Sequence, residues 1–251
     1  ESVQAVLESG YFNNALELLK SQKPARPTPS WLALEAEILE RTGRVRDAVA
    51  LAERVLRIGG EPRCMARALI VLGVIRREEG LATLSADCFR RAEELASQCG
   101  AKELRVRALS RLLLSAFEDQ PDLDIDSHLS ALIAEVRDTA DPSVAATLQA
   151  FASEAYAKRG DLSKARNCLG SALAYARDVA NPWLSGLLAL SRFCVAYLEM
   201  EYDEAAESAG EALRHAQVSG HVRTELAAIV NMAHVAMQRR RYEDAERGFR
   251  R

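Results

Sequence analysis

Small and apolar positions along this chain return on two rhythms, one helical and one much longer. Ala165, Ala205 and Ala245 stand 40 residues apart. Each closes a largely polar phrase: Gly160-Asp161-Leu162-Ser163-Lys164-Ala165, Met200-Glu201-Tyr202-Asp203-Glu204-Ala205 and Arg240-Arg241-Tyr242-Glu243-Asp244-Ala245. The phrase recurs upstream as Gly10-Tyr11-Phe12-Asn13-Asn14-Ala15 and Gly43-Arg44-Val45-Arg46-Asp47-Ala48, with a weaker copy from Gly80 to Ser85. A fixed period in the range of ~20 to 50 residues is what a solenoid leaves in its sequence, because each unit can bury its apolar face only against a neighbour.

A second set of markers keeps the same time: Gly60, Gly100, Ala140, Ala180 and Gly220. After them come Glu61-Pro62, Asp141-Pro142 and Asn181-Pro182. Glycine or alanine at a helix end, then a capping acid or amide with proline in the first turn, marks one helix stopping and the next starting. Each period therefore holds two helices, broken in the middle at Gly43, Gly80 and Gly160, or at Gln120, Met200 and Arg240 in the other units. Ile125, inside Gln120-Pro121-Asp122-Leu123-Asp124, stands where a small residue is expected, so that unit is the least regular. The pattern predicts one all-α domain over 1–251. It comprises a half repeat at 1–22, repeats at about 30–60, 62–100, 102–140, 142–180 and 182–220, and a partial repeat at 222–251.

Composition agrees with helices: 49% of residues are hydrophobic, only 6% aromatic, and glycine is sparse. The net charge of −3 offers no broad positive field, so direct nucleic-acid binding is not expected. Arg239-Arg240-Arg241 and Arg250-Arg251 read instead as a solvated turn and a helix surface. Cys64, Cys88, Cys99, Cys168 and Cys194 form no C-x-x-C pair and are odd in number, which fits reduced thiols packed in helices. No glycosylation sequon, membrane-length apolar run or signal peptide is present, so a cytoplasmic location without membrane contact is expected. The chain starts without methionine and stops inside a repeat, as a piece of a longer protein would.

Catalytic chemistry finds no footing. His128, His215, His221 and His234 are the only histidines, none at i, i+4 from another, and no metalloprotease, nucleophile-elbow or phosphate-loop motif occurs. No catalytic residue, metal or cofactor is expected. Trp31 and Trp183 each open a first helix and read as packing anchors between successive units.

The alternation of Leu69-x-x-Leu72-Gly73 with Ser85-x-x-x-Phe89-x-x-Ala92, and of Ile229-x-x-Met232-Ala233 with Ala245-x-x-x-Phe249, resembles the tetratricopeptide repeat. Ala165-x-x-x-Leu169-x-x-Ala172 and Ala205-x-x-x-Ala209-x-x-Ala212 fill the same slots, and the period of 40 is similar to a longer variant of that family. The resemblance implies a right-handed α-solenoid, a superhelix whose first helices line a concave groove. On one helical face, spaced i, i+3, i+7, i+10, the groove positions are Arg67, Ile70, Val74 and Arg77, then Arg107, Ser110, Arg111, Leu114 and Phe117. Next come Thr147, Ala150, Phe151 and Glu154, then Leu187, Leu190, Cys194 and Tyr197, then Ala227, Val230, Asn231, His234 and Met237. This face is basic toward the N-terminal side and apolar toward the C-terminal side.

Family members that grip a partner's C-terminal carboxylate do so with Lys and Asn on successive first helices. Here Ala33 and Glu37, Ile70 and Val74, and Ser110 and Leu114 stand at those positions, which disfavours that mode. The resemblance implies a non-catalytic module that holds a peptide or helix of a protein partner, one with acidic residues at one end meeting the arginines. The alternative is a sensor or autoinhibitory segment of a larger signalling protein, such as a transcription regulator or kinase, docking another domain of the same polypeptide. Self-association through the terminal repeats is a further expectation, because their apolar faces lack a following unit.

Overall fold

The computed structural model describes residues 2–119, 125–137 and 142–250, with the backbone alone described at 113, 115–119, 125, 128, 131 and 135–137. The turn at 120–124, the Ala140-Asp141 marker and the side chains of Phe117, Ile125 and His128 lie outside the described set. Among the described residues there are fourteen α-helices and no strand. They run in pairs: α1 (Val3–Glu8) with α2 (Phe12–Ser21), α3 (Pro29–Arg41) with α4 (Val45–Ile58), and α5 (Pro62–Glu78) with α6 (Ala82–Gln98). Then follow α7 (Lys102–Asp119) with α8 (Ile125–Arg137), α9 (Pro142–Lys158) with α10 (Leu162–Ala176), α11 (Pro182–Leu198) with α12 (Tyr202–Ser219), and α13 (Val222–Gln238) with α14 (Tyr242–Phe249). The segment read as half a repeat thus carries two short helices. The chain divides into two compact units, residues 1–8 with 12–144 and residues 9–11 with 145–251.

Local chemistry accounts for the punctuation. Pro29, Pro62 and Pro182 sit in the first turns of their helices, where the missing N–H costs nothing. Ahead of them, Thr28 Oγ1 accepts from Trp31 N (3.3 Å) and Asn181 Oδ1 from Leu184 N (3.0 Å). Glu61 departs from the expected side-chain cap: it makes none, and only its carbonyl oxygen receives the N–H groups of Cys64 and Met65. The helix before it stops at Gly59, whose φ is 74°, one residue ahead of the marker read from the sequence.

Between the two helices of a pair, one hydrogen bond recurs. Arg44 N donates to Leu39 O, Leu81 N to Arg76 O, Asp161 N to Tyr156 O, Glu201 N to Ala196 O and Arg241 N to Ala236 O, all at 2.8–3.0 Å. This six-to-one closure needs a left-handed residue just before the donor. Gly43, Gly80 and Gly160 supply it with φ near 80°, whereas Met200 and Arg240 supply it at 64° and 59° without being glycine. The backbone geometry is kept where the residue that favours it is not.

Packing turns on the small-residue slot. Ala15, Ala48, Ser85, Ala165 and Ala205 are wholly buried. The slot faces a position twelve residues earlier on the first helix, and two pairs show it directly. Ser85 Oγ donates to Gly73 O (2.7 Å), while Ser153 Oγ donates to Ala165 O (2.9 Å), so the hydroxyl changes helix but the crossing does not. In residues 12–144 the core joins Leu32, Leu39, Leu72, Ile75, Phe89 and Leu104. In residues 145–251 one cluster holds Ala150, Ala172, Leu184 and Leu188, and another Phe193, Ala196, Ala205, Ala209 and Val235. Helix α5 is buried without a break from Ala66 to Ile75, as a helix enclosed by its neighbours must be. No described helix is long and apolar enough to cross a membrane.

Candidate functional site

The first helices carry all the candidate groove residues, and the two units treat them differently. In residues 12–144 the face is closed. Ile70, Val74 and Ser110 are buried rather than presented to a ligand, because α5 packs against α3, α4, α6 and α7. Arg77, Arg111 and Leu114 are half-buried.

The expected basic end is neutralised from within. Arg67 Nη1 donates to Glu37 Oε2 (2.8 Å) and Arg107 Nη2 donates to Glu37 Oε1 (2.6 Å), with Arg41 Nη2 3.7 Å from the same oxygen. Arg41 also approaches Glu40 (3.5 Å), and Arg107 approaches Glu103 (3.8 Å). Burial pushes the Glu37 carboxyl up, but Arg107, Arg67 and Arg41 together outweigh it and hold the pKa at about 2. Arg67 and Arg107 are therefore committed to a buried carboxylate, which corrects the expectation that both stand ready for a partner's acids. Arg105 is also paired, its Nε donating to Glu93 (2.8 Å).

In residues 145–251 the face opens. Phe151 is buried on α9 and Glu154 is half-buried beside Lys158 (2.9 Å). On α11, Leu190, Cys194 and Tyr197 are half-buried; on α13, Asn231 and His234 are half-buried, while Val230 is 39% and Met237 42% exposed. Tyr197 stacks on Phe193 (ring centroids 5.4 Å), meets Tyr202 edge-on (5.8 Å) and lies 6.4 Å from His234, which lies 5.2 Å from Phe249. Gln238 Nε2 donates to Tyr197 Oη (3.0 Å), tying α13 to α11. Aromatic rings so joined hold a rigid, partly open surface. The Cys194 thiol is pushed up to about 11, by burial first and by the Glu154 charge second, so it stays protonated at neutral pH.

The remaining candidates are structural. Trp183 meets His221 edge-on at 6.2 Å, and His221 Nδ1, 2.6 Å from Thr224 Oγ1, caps α13 by accepting from Thr224 N. Trp183 thus packs between successive helix pairs. In the 239–241 arginine run, Arg239 pairs with Asp203 and Arg241 with Asp244 (2.8 Å). Among the described residues no group of His, Cys, Asp or Glu is placed to hold a metal ion.

Comparison with solved structures places this arrangement among helical-repeat proteins. A Rap protein complexed with competence and sporulation factor matches at a TM-score of 0.68 and 13% identity, over 96% of this chain and 79% of that one. Aspartyl phosphate phosphatase F from Bacillus subtilis matches at 0.68 and 12%, over 98% and 66%. NprR in complex with its cognate peptide NprX matches at 0.62 and 13%, over 98% and 75%. The likeness shows the fold: an all-helical, tetratricopeptide-like repeat. No protein-family model matches the chain, and no curated protein does.

Proposed function

We propose that the chain is a non-catalytic peptide-binding module, and that its ligand lies along the first-helix faces of residues 145–251. The observation that carries this reading is the face of α13. Val230 and Met237, two helical turns apart, are exposed on α13, the first helix of its pair, with Asn231 and His234 between them. Exposed apolar side chains there stabilise nothing in the chain but gain about 25 cal/mol per Å² when a ligand covers them. The Asn231 amide makes no hydrogen bond with another described residue, and it offers the donor and acceptor that an extended peptide backbone requires. Leu190 and Tyr197 on α11 extend the surface, and Glu154 with Lys158 bounds it.

Two of the structural neighbours carry peptide or factor ligands in their own complexes, and this supports the same use of the fold here. The ligand favoured by the face is apolar rather than acidic, since Arg67 and Arg107 are taken up by Glu37. An array of short peptides probed with the native chain is expected to yield a bound subset rich in apolar residues. Asn231→Ala should weaken those peptides about tenfold, Val230→Glu more, and Arg111→Glu little. A bound set that Val230→Glu leaves unchanged would place the ligand elsewhere, and no bound set at all would remove the peptide reading.

A further inference from the structure

Polar groups are sparse on the open face of residues 145–251, and one pair of them joins two first helices. Gln238 Nε2, on the last residue of α13, donates to Tyr197 Oη in the last turn of α11 (3.0 Å). Gln238 is exposed and Tyr197 is half-buried. Seven residues make two helical turns, so Gln238 stands on the same side of α13 as Asn231, about 10 Å further along the helix.

An exposed hydrogen bond between side chains adds little stability, because water takes the place of either partner. What this one leaves unused is more informative. A phenol donates one hydrogen and also accepts, while a primary amide has two donor hydrogens and an acceptor oxygen. With Nε2 bonded to Oη, the Tyr197 O–H remains as a donor and Gln238 Oε1 as an acceptor. Neither residue makes another hydrogen bond with a described residue. Turning the amide over exchanges the roles: Oη then donates to Oε1, and Nε2 and the phenol oxygen are left. In both arrangements the pair presents a donor beside an acceptor. The phenol is also held in place, because its ring stacks on Phe193 (5.4 Å) and meets Tyr202 edge-on (5.8 Å).

A donor beside an acceptor is the complement of one residue of extended backbone, whose N–H and C=O point to the same side. We propose that Tyr197 and Gln238 together form a second backbone-reading contact, pairing with the N–H and C=O of one ligand residue. That residue is a different one from the residue met by Asn231. The inference rests on the peptide reading above and adds a determinant to it: at this point the site selects an extended main chain with a free N–H, whatever the side chain. Asn231 and the Tyr197–Gln238 pair then hold the ligand at two places along α13.

The test takes a peptide from the subset that the native chain binds and methylates its backbone nitrogens one at a time. Methylation at two positions is expected to weaken binding about tenfold each. The first of these losses should disappear in Asn231→Ala, and the second in Tyr197→Phe combined with Gln238→Leu. That double variant should itself bind the unmethylated peptide about tenfold more weakly, with an unchanged Tm, since phenylalanine keeps the ring contacts and Gln238 is exposed. A pair that served only as a strut between α11 and α13 would lower the Tm and leave the sensitivity to methylation as it was, which overturns the proposal. So does binding that Val230→Glu and Asn231→Ala weaken but the double variant leaves untouched. Failure of the peptide reading gives a different result, either no bound set or one that Val230→Glu leaves unchanged, and this inference falls with it.

Discussion

Glu37→Ala is expected to be the most damaging single change in the chain, costing about 3 to 5 kcal/mol of stability. The side chain is 3% exposed, and it is the counter-charge for Arg67, itself almost as buried, and for the partly covered Arg107. Taking the carboxylate away leaves two guanidinium groups desolvated with no anion at hydrogen-bonding distance in its place. Denaturant melts of Glu37→Ala against Glu17→Ala give the comparison, since the exposed Glu17–Lys20 pair should contribute no more than about 0.5 kcal/mol. Equal losses would mean that the buried cluster is not the anchor of α3 on α5 and α7. Replacing Glu37, Arg67 and Arg107 together by apolar residues of similar volume should be far milder than Glu37→Ala alone, because the penalty lies in the unpaired charge.

The same cluster fixes a pH dependence. With the Glu37 pKa held at about 2 in the folded chain against 4.5 for the free group, folding favours the ionised carboxylate. Its contribution is complete above the unfolded value and is lost as pH falls from about 5 toward 2. Glu37→Gln should flatten the acid limb of the stability curve over that window. A limb of unchanged slope would assign the acid sensitivity to other carboxylates.

Short-range features were the ones legible in the sequence. The slot at Ala165 and Ala205, the prolines of the first turns and the left-handed breaks each depend on a few adjacent residues, so a fixed period exposes them. Glu37 was visible only as a residue that does not fit a carboxylate grip. Its partners lie 30 and 70 residues further on, and no local spacing tells which arginine faces it across three first helices. The helical face of α5 was legible too, yet its exposure was not. Ile70 and Val74 share a face with Arg67, but that face is covered by neighbouring helices, and periodicity cannot distinguish an inner surface from an interior in a helix buried all round. On α13 the spacing that puts Val230, Asn231 and Met237 together coincides with exposed side chains at Val230 and Met237, which makes that stretch the stronger candidate.

The sequence was also silent on how volume is shared at a crossing. Gly73 on α5 faces Phe89 on α6, so closely that a Cβ at residue 73 would come within 2.6 Å of the Phe89 ring. Three repeats later the sizes are exchanged: Phe193 on α11 shares a cluster with Ala209 on α12, and these occupy the places of Gly73 and Phe89. Phe89→Ala should therefore cost about 3 to 5 kcal/mol by leaving a cavity. Gly73→Phe should cost about 1 to 3 kcal/mol or more, by forcing two rings into one space. The two together should cost clearly less than their sum, because the pair then repeats the Phe193–Ala209 arrangement. The backbone permits it: Gly73 is helical, without a left-handed φ, and the bond from Ser85 Oγ goes to its carbonyl oxygen, which any residue supplies. Melts of the two single variants and the double variant form a double-mutant cycle, in which a favourable coupling of roughly 2 kcal/mol is expected between residues in contact. Simple additivity would show that the crossings of the two units are built differently, and that the 40-residue period carries helix placement without carrying side-chain packing.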